Sequence, residues 1–216
     1  MKELRNFLLT DYNNYKDIDF KNCITSIILY LSKILKIDTP TIKEYYENRE
    51  HIIKTYYKGD KEATKKFINK TFLNSNENKM KGINEFENKI LKEIKEIHNN
   101  LNPLQLNHIK NPEFIDILKK CRNEAKISEE IEYKKFMKEK GKNLFCNLEG
   151  KILSNLYHHY ENKALVILTN YLYKTYNKLP HSLIFDGLIF NSDNINIDEI
   201  NQYIIVNVYL IKIIHF

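Results

Sequence analysis

The hydrophobic period of this chain changes at Pro180, and that change limits the folds open to it. Before Pro180, apolar residues recur every three or four positions. Ile24, Ile27, Ile28, Leu31, Ile34 and Leu35 make one face of a helix that ends before Asp38-Thr39-Pro40. A second helix is expected over 41–57. Gly59-Asp60 then breaks the chain and offers Asp60 as the N-cap of a third helix over 61–74. Ile83, Phe86, Ile90, Ile94 and Ile97 mark a fourth. The region 113–142 is helical in period and very charged. Leu144, Leu148, Ile152, Leu156 and Tyr160 open a further helix that continues through Leu172.

After Pro180 the pattern becomes β-like. "HSLIF" and "LIF" flank "DG", and the final "YIIVNVYLIKIIHF" is β-branched and aromatic, which reads as a strand. The expectation is a helix-rich α+β chain, taken as a single domain over 1–216, with its strands concentrated late.

Composition narrows the compartment more than the chemistry. The net charge is +6, from 34 Lys+Arg against 28 Asp+Glu. That mild excess is compatible with nucleic acid and not diagnostic of it. Abundant Asn, Lys and Ile also fit AT-rich coding. Cys23, Cys121 and Cys146 are widely spaced and odd in number, so neither a disulfide framework nor a zinc site is supported. No signal-peptide core and no bilayer-length apolar run is present. An intracellular setting without membrane contact is the expectation.

Three stretches could carry chemistry. In "YKDIDFKNC", Asp17 and Asp19 are one residue apart, so on a strand they share a face while Ile18 and Phe20 take the other. Such a pair suits Mg²⁺, which favours a few carboxylates together with water and phosphate. The simpler alternative is that Asp19 or Asn22 caps the helix starting near Cys23. In "DKEATKKFINKTFLN", Lys65, Asn69 and Phe72 fall at i, i+4 and i+7, with Lys66 and Lys70 alongside. Lysines at that spacing can hold a triphosphate, although a solvated face is the commoner use of such a row. In "LIFDGLIF", Asp186-Gly187 is a hairpin signal, because a tight type I′ turn needs φ > 0. The apolar flanks would also hold the Asp186 carboxylate rigidly, as a metal ligand requires.

Carboxylates, a lysine helix, then a carboxylate in a hairpin is an order that resembles the palm-and-fingers core of template-directed nucleic-acid polymerases. A closer resemblance is to polymerase-like proteins of large DNA viruses, protists and mobile elements. Their signature pairs a "DID…N" segment with "YxxNR(E/D)" and a late "ENKxL…FDGL". This chain reads "DIDFKN" at 17–22, "YYENRE" at 45–50, "HHYENKAL" at 158–165 and "FDGL" at 185–188. It departs from the polymerase pattern after Asn22, where "CIT" stands in place of a His-Pro-like pair, and in "FLNSN", which lacks the glycine that usually ends the lysine helix.

The resemblance implies a small antiparallel palm-like sheet, built from an early strand and a late hairpin, with fingers-like helices at about 38–110. It implies two Mg²⁺ ions on Asp19 and Asp186, with Asp17 in support. Lys65 or Lys66 would neutralise the triphosphate, and Asn69 and Phe72 would lie near the nascent base pair. Asn22, Glu161 and Gly187 would support these groups. The partners would be a nucleic-acid primer-template and nucleoside triphosphates, in the cytoplasm or nucleus of a host or protist cell, and the chain would be a fragment of a longer polymerase. Two rivals stay open: a non-catalytic helical domain that binds nucleic acid or protein, and a metal-dependent nuclease.

Overall fold

The computed structural model describes residues 15–74, 84–102, 106, 109–140, 148–180, 182–184, 187–191, 195–208 and 212–215. Among them are eight helices and four strands. The chain divides into two compact units, Met1–Ile27 with His159–Phe216 and Ile28–His158. Helices α1 (Cys23–Leu35) and α7 (Leu148–Tyr176) each contribute residues to both.

The first unit holds a four-stranded antiparallel sheet. Its strands are β1 (Tyr15–Lys21), β2 (Ser182–Ile184), β3 (Gly187–Asn191) and β4 (Lys212–His215), in the order β2-β3-β1-β4. The second part of α7 precedes β2, and α8 (Ile197–Val208) precedes β4. Strand, helix, hairpin, helix, strand in this spatial order is the split β-α-β arrangement. The second unit, Ile28–His158, begins within α1 and ends within α7.

Both faces of β3 are buried, Leu188 and Phe190 on one and Ile189 on the other. Ile18 and Phe20 of β1 are buried, as are Leu188 and Phe190 of β3, and Ile18 pairs with Leu188. Tyr176 at the end of α7 tilts against Phe190 with ring centroids 5.7 Å apart, and its hydroxyl accepts from the Asn196 amide at 3.2 Å. Tyr171 of α7 meets Tyr203 of α8 at 4.4 Å, and α8 also lies against β4.

Here the sequence expectation for "YIIVNVYLIKIIHF" is corrected. Residues 203–208 end a helix, and among the described residues of this stretch Lys212–His215 is strand. The Asn196 side chain accepts from the amides of Asp198 and Glu199 and so caps α8. That cap and the tyrosine contact outweigh the β-propensity of Ile204, Ile205 and Val206.

The second unit is helical. It contains α2 (Pro40–Glu47), α3 (Arg49–Tyr57), α4 (Lys61–Asn74), α5 (Glu85–Asn99) and α6 (Pro112–Lys140). The single helix expected over 41–57 is two helices, because Asn48 (φ −122°, ψ 35°) leaves the helical region and serves as the C-cap of α2 and the N-cap of α3. Asp60 caps α4 through Ala63 N–H at 2.9 Å, as its position before the helix predicts. The buried Phe86 of α5 gathers aromatic rings: those of the buried Tyr45, the exposed Tyr56 and the half-buried Tyr57 lie 6.0, 5.3 and 6.3 Å from it.

Two buried acids on α5 complete this packing. Glu93 accepts the Thr41 and Ile42 amides at 2.8 and 3.0 Å, capping α2 where Thr39 makes no side-chain cap. Glu87 accepts the Tyr57 hydroxyl at 2.9 Å. Within this unit α6 and α7 are tied by Asn155 Nδ2 donating to the Cys121 carbonyl and by Lys151 with Glu132 at 2.7 Å.

Candidate active site

The sheet register brings the early acidic stretch beside the late hairpin. β1 runs antiparallel to β3 with Asp17 opposite Ile189, Ile18 opposite Leu188 and Asp19 opposite Gly187. On its other side β1 pairs with β4, with Asp19 opposite Ile214. The row through Asp19 therefore reads Ile184, Gly187, Asp19, Ile214 across all four strands. Positions 17 and 19 alternate with Ile18 and Phe20, whose side chains fill the core.

Gly187 is the first residue of β3 and pairs with both Ile184 and Asp19. Asp186-Gly187 reads from sequence as the tight turn; ladder pairing places Gly187 in the strand. Asp186 itself lies outside the described residues, as do the side chains of Asp17 and Asp19. Among the described residues no group of three or more His, Cys, Asp or Glu could hold a metal ion.

β1 passes into α1 through one residue. Asn22 has φ +50°, a left-handed conformation that Asn accepts more readily than most side chains. Its carbonyl receives the Ser26 amide at 3.0 Å and the Ser26 hydroxyl at 3.2 Å, which satisfies the first turn of α1. The sharp strand-to-helix corner thus fixes where β1 ends, two residues beyond Asp19. Glu161, on α7 in the same unit, is buried with 7% of its surface exposed, an unusual place for a carboxylate without partners. It is not without a partner.

The lysine stretch lies in the second unit. Along α4, Lys65, Lys66 and Asn69 are exposed, whereas Phe72 is fully buried among core residues of that unit. Helical spacing put the three motif residues near one face, but packing separates the aromatic from the polar pair. The helix that shares a unit with the sheet and leads into the hairpin is α7, and it carries Lys163 in "ENKAL", exposed and two residues after Glu161. Sequence reasoning passed over Lys163. The signal available was its place on the last helix before β2.

No helix of the described residues is long and apolar enough to cross a membrane. No protein-family model, curated protein or solved structure matches this chain.

Proposed function

We propose that this chain is a template-directed nucleotidyl transferase of the palm type, acting on a primer-template with nucleoside triphosphates. The observation that carries the reading is the pairing of Asp19 with Gly187. Opposed Cα atoms in an antiparallel ladder lie about 4.5–5.5 Å apart, and Asp186 is joined to Gly187 by one peptide, about 3.8 Å between Cα atoms. To share a two-ion site, the carboxylates of Asp19 and Asp186 would have to reach ions about 4 Å apart. The split β-α-β order of the sheet, with a helical unit inserted after β1, is also the arrangement that a palm with inserted fingers requires.

Aspartate carboxylates are the ligand type that suits Mg²⁺. Asp19 and Asp186 would hold it, with Asp17 in support, and it would supply charge neutralisation on the phosphates and activation of a hydroxyl nucleophile. The protein's own part is positioning. The Asn22 corner fixes the end of β1, and Gly187 keeps the rung opposite Asp19 free of a side chain. Lys163, in the same unit, is a better candidate than Lys65 or Lys66 for balancing triphosphate charge.

The test is extension of a labelled primer on a template with Mg²⁺ and nucleoside triphosphates. Wild type is expected to extend, and Asp19→Asn and Asp186→Asn to abolish extension. Shortening of the labelled strand would identify a nuclease instead. Binding without turnover would identify a non-catalytic domain.

A further inference from the structure

After Glu62, helix α4 runs to Asn74 with three lysines and no acid. Lys65, Lys66 and Lys70 are exposed, and so is Asn69. They form two rows, Lys65 with Asn69 and Lys66 with Lys70, each pair about 6 Å apart along the helix axis. The core face of the helix is Thr64, Ile68, Thr71 and Phe72, all buried. Several lysines of the same unit meet acids: Lys43 with Glu47, Lys61 with Glu50, Lys89 with Glu85 and Lys119 with Asp116. Among the described residues no carboxylate pairs with Lys65, Lys66 or Lys70. Like charges at i and i+4, as at Lys66 and Lys70, destabilise a helix.

An anionic partner would balance that charge, and its class follows from what the face lacks. Among the described residues none of the exposed large apolar side chains lies on α4. The face therefore has no apolar side to enter a lipid surface and no apolar centre for a protein partner. A nucleic-acid backbone needs neither, since lysine charge and hydrogen bonds from side chains such as Asn supply its binding. We propose that Lys65, Lys66, Asn69 and Lys70 form a docking face for a nucleic-acid phosphate backbone, without recognition of bases. It rests on the nucleic-acid partner of the proposed function and not on its chemistry.

Anisotropy of a labelled duplex oligonucleotide, in EDTA and without nucleoside triphosphates, reads the face alone. Wild type is expected to bind, with an affinity that falls steeply as salt rises. Lys65→Gln, Lys66→Gln and Lys70→Gln should each bind several-fold more weakly, with a salt slope shallower by about one. Lys126→Gln, which removes an exposed lysine from α6, should keep the wild-type affinity and slope. Each α4 variant should unfold at the wild-type temperature or above it, because like charges are being removed, so the weaker binding belongs to folded protein. A wild type that does not bind overturns the proposal, as does a loss in Lys126→Gln equal to that of the α4 variants. Phosphatidylserine vesicles or poly-glutamate that displace the duplex at matched charge overturn it in favour of a lipid surface or an acidic protein. Primer extension without lysine-dependent binding would remove the docking face and leave nucleotidyl transfer standing. Lysine-dependent binding without extension would do the reverse.

Discussion

Asp19 lies directly across the antiparallel ladder from Gly187, the residue that follows Asp186 in the chain. A strand that begins the described chain and a hairpin near its end are thereby held in one rung, with the whole helical unit Ile28–His158 inserted between them.

Gly187 is therefore expected to tolerate no side chain if the site works as proposed. Gly187→Val should keep the far-ultraviolet circular dichroism of wild type, since a β-branched residue suits a strand. It should lower primer extension by about a hundredfold, the scale of a small misplacement of reacting groups. Unchanged extension in a folded Gly187→Val protein would remove this rung from the mechanism.

Glu93 is expected to be the costliest polar side chain to lose in the helical unit. Its two oxygens receive the Thr41 and Ile42 amides, and it is buried. Glu93→Ala leaves both donors buried without an acceptor and should cost about 2–4 kcal/mol in urea denaturation. Glu93→Gln keeps one acceptor oxygen and should cost less.

Tyr57 sets an alkaline limit. Burial, then the hydrogen bond to Glu87, raises its pKa well above the usual tyrosine value of 10.0. Burial likewise raises Tyr45. Above pH 10 the unfolded chain releases these protons while the folded chain keeps them, so stability is full below pH 10 and falls as pH rises beyond it. Tyr57→Phe should cost about 1–3 kcal/mol at neutral pH, because Glu87 loses its donor, and should flatten the alkaline fall. Urea midpoints measured from pH 7 to 11 check both.

His98 sets an acid limit. Burial pushes its pKa down from 6.5 to about 4. Between those values the unfolded chain binds a proton that the folded chain excludes, so stability is full above pH 6.5 and falls as pH drops toward 4. The loss is on the order of 3 kcal/mol. Urea midpoints for His98→Leu should fall less than those of wild type between pH 7 and pH 4.5.

These predictions show where the sequence was legible. α1 and α4 could be read directly, since an apolar stripe and the Asp60 cap both act locally. The break at Asn48 could not, because the apolar period runs through it and the cap that starts α2 comes from Glu93, over fifty residues away. A trace of Glu93 was visible, however: it stands three residues after Ile90 and four before Ile97, within the buried stripe of α5. The stretch 203–208 misled because a cap at Asn196 and the contact of Tyr203 with Tyr171 hold it in α8.

The candidate site was legible in its acids and not in its lysines. Asp17 and Asp19 have the spacing of a strand, and "DG" announces a hairpin, so their types and order were plain. Register was not: only pairing shows that Gly187 belongs to the strand and stands opposite Asp19. The lysine row of α4 matched a motif by spacing, but which helix shares a unit with the sheet is a property of the tertiary fold.

The most direct measurement is Mn²⁺ binding followed by electron paramagnetic resonance, in wild type, Asp19→Asn, Asp186→Asn and the double variant. If the two carboxylates hold the same ions, each single substitution should weaken binding strongly, and the double variant should bind no worse than the weaker single one. Mn²⁺ affinity unchanged by either substitution, or losses that simply add, would contradict a shared site.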